Sequence, residues 1–143
     1  MVKGLRLLLD THVVIWMARD PERLPGALIK AIESADVRYV SHISSWEIQI
    51  KGEKLGSRFG FSLEQFERAM KSLACTEMPI EYSDIQRLNK MRFFHSGPFD
   101  RMLMSQAAGR DVYLASLDQD IVKTFGKEHS FDLFSDRARA GSH

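Results

Sequence analysis

The stretch Leu7-Leu8-Leu9-Asp10-Thr11-His12, which continues into Val13-Val14-Ile15-Trp16, decides the fold of this chain. A short apolar run ends on a carboxylate, and apolar residues at helical spacing begin almost at once. This pattern is typical of a buried strand that is followed by a helix in an α/β domain. Ligands of open α/β sheets bind at the carboxyl ends of the strands. Asp10 therefore occupies a position where a functional side chain is expected.

The composition limits the class of protein to which the chain can belong. Its 143 residues fit one domain, and 44% hydrophobic with 27% charged residues allow a sizeable core in a soluble protein. The net charge of +1 argues against a highly basic surface but leaves room for a local basic patch. Cys75 is the single cysteine, which excludes an intrachain disulfide. The residues before Asp10 are too few for a signal sequence or a membrane span, so we predict a cytoplasmic protein with no membrane contact.

Strand and helix patterns alternate along the chain. Short β-branched or aromatic runs predict further strands at 38–41, 75–80, 112–115 and 131–134. Helical patterns lie between them; Ser62 and Gln65 have the spacing of a capping box, and Gly109 is expected to end the helix that Asp100 opens. This alternation predicts a mostly parallel sheet of four to five strands with helices on both faces. We expect a single domain over residues 1–135 and a C-terminal tail, native or added, over residues 136–143.

Four acidic residues stand at the predicted transitions into helices: Asp10, Glu47, Asp100 and Asp118. Each has a structural interpretation, as an N-cap or turn residue, as the partner of Ser44 in a capping box, or as a favourable charge at a helix N-terminus. However, helices that follow parallel strands all begin at the carboxyl edge of the sheet. Asp10, Glu47 and Asp118 would therefore gather there, and Asp100 would join them if the loop before it returns to that edge.

Such a cluster of carboxylates points to a metal. Several carboxylates within a few ångströms repel one another unless a cation neutralises them or some of them take up protons. Ligand sets made only of oxygen suit Mg²⁺ or Mn²⁺ better than zinc. The cluster therefore indicates hydrolysis of a phosphodiester, in which one or two ions activate water and stabilise the leaving oxygen.

Three segments carry a resemblance to a known family. They are Leu8-Leu9-Asp10-Thr11-His12, Ser45-Trp46-Glu47-Ile48-Gln49-Ile50-Lys51 and Pro98-Phe99-Asp100-Arg101-Met102-Leu103. With this order and spacing, the chain resembles the PIN-domain ribonucleases, and among them the VapC-type toxins of bacterial toxin–antitoxin pairs. The resemblance implies a three-layer α/β/α sandwich. It also implies an endoribonuclease whose catalytic acids, the first three named above and Asp118, hold Mg²⁺ or Mn²⁺.

The fourth acid departs from the family pattern. The family usually shows Thr-x-Asp after the fourth strand, and Ser116-Leu117-Asp118 has a serine at the first position. We take Asp118 as the fourth acid and keep Asp120 as the alternative. Gly97 stands where the family often carries a further Asp, whose absence would weaken metal or substrate binding.

Other side chains near the acids are candidates for accessory roles. The resemblance suggests Thr11 and Ser116 as accessory residues and Arg101 as a ligand for phosphate. Trp46 falls on an apolar helical face and is interpreted as a core or interface residue. Phe93 and Phe94 belong to a predicted loop and are the better candidates for stacking on RNA bases.

The resemblance also implies partners. The substrate would be RNA, cut to leave a 5′-phosphate and a 3′-hydroxyl. A VapB-type antitoxin would block the active-site groove with its C-terminal segment, and the chain would form a homodimer. Two other functions stay open. One is a catalytically weak or inactive PIN-like module that binds RNA or protein, and the other is a metal-dependent phosphatase for small phosphoesters.

Overall fold

A computed structural model describes residues 4–91, 97–118 and 121. The strands are β1 (Arg6–Leu9), β2 (Val37–Ser41), β3 (Thr76–Met78) and β4 (Tyr113–Ala115). The helices are α1 (Thr11–Arg19), α2 (Gly26–Ser34), α3 (His42–Leu55), α4 (Leu63–Ser72), α5 (Tyr82–Leu88) and α6 (Pro98–Arg110), with single 3-10 turns at Pro21–Arg23 and Gly56–Arg58. None of the helices in these ranges is long and apolar enough to span a membrane. The strand predicted at 131–134 lies outside the described residues.

The four strands form one sheet in the order β3-β2-β1-β4, and every pair is parallel. Because side chains alternate across a strand, β1 contributes side chains to both faces of the sheet. Leu7 and Leu9 pack with residues of α1, α2 and α4, whereas Leu8 packs with residues of α6. Helices therefore cover both faces. The predicted α/β/α fold with a central parallel sheet is confirmed.

Helix α3 contributes to both cores, through Ile48 on one face of the sheet and Ile43 on the other. It begins directly after β2, where the hydroxyl of Ser41 accepts a hydrogen bond from the Ile43 amide at 3.0 Å. The predicted capping box of Ser44 and Glu47 is therefore wrong, because the helix starts earlier than the pattern indicated. Ser44 lies inside the helix and is fully buried. The Glu47 carboxylate is thus not used in capping.

The expected end of α6 at Gly109 is also wrong. The helix continues to Arg110, and Asp111 then takes the left-handed conformation with φ 54°. Asp tolerates this conformation better than most residues because its short polar side chain can hydrogen-bond locally. Gly109 has another role: a Cβ atom at this position would meet the guanidinium of Arg87. The glycine therefore admits Arg87 from α5 onto the surface of α6.

A buried ion pair fixes α6 against α5. Asp84 is 1% exposed, and its two carboxylate oxygens accept from Nη1 and Nη2 of Arg110 at 2.6 and 2.9 Å. Ser105 of α6 donates its hydroxyl to the backbone carbonyl of Asp84 at 2.6 Å. Bidentate Arg–carboxylate pairs are geometrically specific. The network therefore restrains the helix whose first turn carries Asp100.

On the other side of the sheet, one arginine caps two helices. Arg38 of β2 donates Nη1 to the carbonyls of Ile32 and Ala35, at 2.8 and 3.0 Å, at the end of α2. Its Nε donates to the carbonyl of Leu73, at 2.7 Å, at the end of α4. The last carbonyls of a helix have no partner within the helix. Arg38 therefore supplies three of these missing donors and joins both helices to the sheet.

Candidate functional site

Asp10 lies at the carboxyl end of β1, and both of its carboxylate oxygens are held by the protein. Oδ1 accepts from the Thr11 amide and Oδ2 accepts from the Ser116 hydroxyl, each at 2.7 Å. Its own amide donates to the carbonyl of Ala115 at 2.9 Å, which continues the pairing of β1 with β4. The side chain is 6% exposed. Asp10 is thus the N-cap of α1, as its structural interpretation predicted, and is also a buried acid fixed between two strands.

Glu47 lies beside it on the first half of α3. Oε1 accepts from the Thr11 hydroxyl at 2.7 Å, and Oε2 pairs with Nζ of Lys51 at 3.0 Å. Thr11 therefore binds Asp10 through its backbone and Glu47 through its side chain. Sequence reasoning did not foresee the Thr11–Glu47 contact. The Lys51 pair did have a signal, because residues four apart on a helix share a face.

Asp100 occupies the first turn of α6 and joins the other acids. Burial, together with the charges of Asp10, Asp118 and Glu47, raises the pKa of Asp100 to about 6. The loop before Asp100 therefore does return to the carboxyl edge of the sheet, which the sequence left open.

Asp118 follows β4 and is the least regular of the four. Its amide donates to the hydroxyl of Ser116 at 3.0 Å, and its Oδ1 accepts from the Ile121 amide at 3.3 Å. Ser116 therefore contacts both ends of the site, since it also donates to Asp10. Asp120, the alternative fourth acid, lies outside the described residues.

The electrostatics of Asp10 reflect this crowding. Burial raises the pKa of Asp10 to about 6, and the neighbouring charges of Glu47 and Asp118 act in the same direction. The hydrogen bonds from Ser116 and Thr11 oppose the rise by stabilising the ionised form. The site thus concentrates negative charge where little water can screen it.

The donor set fits a hard divalent cation. Within residues 4–91, 97–118 and 121, no three Asp, Glu, His or Cys side chains form a ready metal-ligand group. Asp10 and Glu47 direct their oxygens to protein donors instead. Each carboxylate oxygen has two lone pairs, however, so a hydrogen bond leaves one available. Carboxylate oxygens in mutual electrostatic contact are suitable ligands for Mg²⁺ or Mn²⁺.

The accessory candidates are placed less decisively. Arg101 has a buried Nε without a hydrogen-bond partner among the described residues, and nothing in that placement assigns it to phosphate. Burial and the charge of Lys51 lower the pKa of His12, which favours a neutral imidazole beside the acids. Phe93 and Phe94 lie outside the described residues.

Of the two interpretations of Trp46, core or interface, the core one is wrong, because the side chain is 58% exposed, and the interface one stays a prediction. The buried face of α3 runs through Ile43, Ser44, Glu47 and Ile48. This face includes two polar residues, so the apolar pattern alone did not identify it. Because Glu47 belongs to the buried face of α3, the adjacent residue Trp46 lies outside that face.

Comparison with known proteins identifies the family to which this fold belongs. The family model described as PIN domain matches residues 7–126, a range that contains all four acids. The chain belongs to the PIN-domain family. This confirms the family that the three sequence segments predicted. No curated protein matches this PIN domain.

Solved structures similar to this PIN domain come from toxin–antitoxin complexes. VapBC2 from Rickettsia felis bound to a promoter DNA fragment has a TM-score of 0.61 at 12% identity, with coverage of 84% of this chain and 93% of that chain. VapBC-1 from nontypeable Haemophilus influenzae has a TM-score of 0.56 at 20% identity, covering 80% and 87%. A toxin–antitoxin complex from Klebsiella pneumoniae has a TM-score of 0.55 at 17% identity, covering 81% and 90%. At these identities the similarity shows a shared fold.

Proposed function

We propose that this PIN domain is a metal-dependent endoribonuclease and the VapC-type toxin of a type II toxin–antitoxin pair. The observation that carries the proposal is the meeting of Asp10, Glu47, Asp100 and Asp118 at the carboxyl edge of one parallel sheet. Burial raises the pKa of Asp10 and of Asp100 there, and the charges of the neighbouring acids act in the same direction. A site of this kind favours a divalent cation and a phosphodiester substrate.

In the proposed mechanism, the protein supplies fixed carboxylates. Ser116 and the Thr11 amide orient Asp10, and the Thr11 hydroxyl orients Glu47. Bound Mg²⁺ or Mn²⁺ would act as a Lewis acid that activates water and stabilises the leaving oxygen. Because the orienting donors are buried or half-buried, they hold the carboxylates before the substrate arrives, and preorganisation of this kind lowers the barrier to reaction.

The toxin assignment is supported by the solved structures with the same fold, which are toxin–antitoxin complexes. We propose a VapB-type antitoxin as the inhibitory partner, a homodimer as the assembled toxin, the cytoplasm as its location and residues 1–135 as the nuclease domain. Co-expression with a VapB-type antitoxin encoded next to the gene, where one is found, tests the partner. The antitoxin should copurify with the chain and abolish RNA cleavage.

Cleavage of RNA in the presence of Mg²⁺ tests the activity. Wild-type protein should produce 5′-phosphate ends, and Asp10→Asn should slow cleavage by at least about 100-fold, because it removes a charge that acts directly in the site. Asp111→Asn is the matched control: it removes one exposed charge, and Asn accepts the left-handed conformation of that position. The proposal is wrong if Asp10→Asn cuts RNA as fast as the wild type.

Two observations favour a second candidate, a PIN-like module that binds RNA without cutting it. No ready metal-ligand group is formed within the described ranges, and Gly97 stands in place of the further family acid. Calorimetric titration with Mn²⁺ separates the two functions. A nuclease should bind Mn²⁺ in a manner that depends on Asp10 and Glu47, whereas an inert module should not.

A further inference from the structure

Two aromatic side chains flank the candidate acids. Trp46 directly precedes Glu47 on α3, and Phe99 directly precedes Asp100 on α6. The two rings meet edge to face, with centroids 5.8 Å apart and planes at 75°. The same two helices that deliver acids to the site therefore also deliver a touching aromatic pair next to it.

The exposure of the pair is uneven. Phe99 is partly buried and packs against the core beneath α6. Trp46 is 58% exposed, so more than half of a large apolar surface faces solvent. The other exposed large hydrophobic residues of the described ranges are Leu55, Ile80, Tyr82 and Ile85. Of the five, Trp46 alone is adjacent in sequence to a candidate acid.

The edge-to-face contact gives Trp46 a defined position. Aromatic pairs in this geometry contribute beyond the area that they bury. Because Trp46 contacts Phe99 and is still 58% exposed, the indole can receive another flat ring. A fixed, exposed aromatic face beside a nuclease site is suited to stacking of a nucleobase.

We propose that Trp46, positioned by Phe99, stacks an unpaired base of the RNA next to the phosphodiester presented to Glu47 and Asp100. The inference rests on the proposed ribonuclease function. A base inside a duplex is already stacked and paired, so this subsite selects single-stranded segments. Stacking on an indole is tolerant of base identity, because every base has a π face. The subsite therefore selects single-stranded RNA and the position of the cleaved bond along that RNA, with little selection of base sequence.

The surroundings favour RNA over a protein at this position. Trp46 is next to the carboxylates of the site, of which Asp10 and Glu47 are buried, and a phosphodiester with its counter-cation is expected there. The exposed apolar residues Ile80, Tyr82 and Ile85 are on or next to another helix, α5. Binding of a protein partner at Trp46 in place of RNA would contradict the proposal.

Binding of a short single-stranded RNA of mixed sequence tests the inference, with Ca²⁺ in place of Mg²⁺ so that the acids keep a counter-cation while cleavage is prevented. Trp46→Leu should weaken binding by about tenfold or more, as expected for the loss of one stacked base. Trp46→Phe should recover part of the affinity, because it keeps an aromatic face. Tyr82→Leu is the matched control, since it removes an aromatic side chain that is 74% exposed on α5. It should bind RNA like the wild type.

A spectroscopic measurement reports on the contact itself. In a Trp16→Phe background, Trp46 is the only indole of the chain. Its fluorescence should be quenched by single-stranded RNA and not by an abasic oligomer of the same length. In steady-state cleavage with Mg²⁺, Trp46→Leu should raise KM and leave kcat unchanged, because stacking binds ground state and transition state alike.

The outcomes separate the inference from the function. Equal RNA binding by wild type and Trp46→Leu overturns the inference and leaves the nuclease proposal standing. A wild type that binds RNA through Trp46 but never cuts it overturns the nuclease and supports the subsite. Loss of antitoxin binding or of dimerisation in Trp46→Leu, with RNA binding intact, would show a protein contact and contradict the proposal. Unquenched Trp46 fluorescence contradicts it even if Trp46→Leu folds poorly.

Discussion

Thr11 and Glu47 are joined by a 2.7 Å hydrogen bond between a threonine hydroxyl and a carboxylate oxygen that lie 36 positions apart in the sequence. Thr11 opens α1 after one strand, and Glu47 belongs to the helix after the next strand. Since the Thr11 amide also binds Asp10, this residue sets the relative positions of two acids. The distance between these carboxylates is therefore determined by a side chain that need not touch substrate.

Thr11→Val should separate these roles. Valine has nearly the same shape but no hydroxyl, so Glu47 Oε1 loses a buried donor while the amide bond to Asp10 remains. We expect the free energy of unfolding to fall by roughly 1–3 kcal/mol in urea titration. RNA cleavage should fall as well. Thr11→Ser keeps the hydroxyl and should retain most of the activity; equal loss in both variants would show that packing, not the hydrogen bond, matters.

Lys51 should compete with a divalent cation for Glu47. Its Nζ lies 3.0 Å from Oε2, on the carboxylate proposed as a metal ligand. Lys51→Met removes this positive charge, so Mn²⁺ should bind about severalfold more tightly in calorimetry. Lys54→Met changes an exposed lysine on the same helix and should leave the affinity unchanged. Weaker Mn²⁺ binding in Lys51→Met would instead show that Lys51 chiefly orients Glu47.

Stability without metal should fall as the pH rises from about 4 to 6. Burial raises the pKa of Asp10 to about 6, above the value near 3.9 of an unfolded Asp, so in this window the folded chain binds more protons than the unfolded chain. The raised pKa of Asp100 acts in the same direction. For Asp10, two pH units correspond to about 3 kcal/mol of stability that is absent above pH 6.

Asp10→Asn should remove the contribution of Asp10 to the pH dependence of stability. At pH 7.5 in EDTA we expect the variant to be about 1–3 kcal/mol more stable than the wild type, because an uncharged amide replaces a buried carboxylate. Denaturant titrations at several pH values measure the effect, and Asp111→Asn should behave like the wild type. A variant that is less stable than the wild type at pH 7.5 would contradict the prediction.

Arg38 should be a main determinant of stability outside the site. Its three hydrogen bonds to the ends of α2 and α4 are lost in Arg38→Met, which keeps an apolar stem of similar length. Hydrogen bonds to a charged group contribute about 1.5–3 kcal/mol, so we expect a loss of at least about 2 kcal/mol. Arg68→Met breaks an exposed i,i+4 pair with Glu64 and should cost about 0.5 kcal/mol or less. Equal losses in urea titration would argue against the capping role.

Patterns of residues close together in the sequence gave the most accurate predictions of the helices and strands. The capping box of Ser62 and Gln65 is present with both hydrogen bonds, because its two partners lie within one helical turn. Asp10 and Asp100 lie at the starts of helices, as their local patterns predicted, whereas Glu47 lies inside α3. The parallel order of the strands predicted that Asp10, Glu47 and Asp118 share one edge of the sheet, but the position of Asp100 depended on a loop whose path the sequence did not show.

Contacts between distant segments were not predictable. The Thr11–Glu47 bond and the exposure of Trp46 depend on which face of α3 packs against the sheet. Apolar spacing misled here, since the buried face includes Ser44 and Glu47. The predicted end of α6 at Gly109 was wrong for a related reason, because this glycine accommodates Arg87 of α5 and does not end α6. Each error arose where tertiary contacts outweighed a local preference.

The hydrogen bond from Ser116 to Asp10 has a consequence for the timing of synthesis. It joins residues 106 positions apart, so the acidic site remains incomplete until β4 has left the ribosome and paired with β1. At translation rates of about 5–20 residues per second, this delay lasts roughly 5–20 s. For a ribonuclease, the message and the ribosome that make it are then protected until β4 has emerged. The late strand thus makes synthesis through β4 a condition for toxicity.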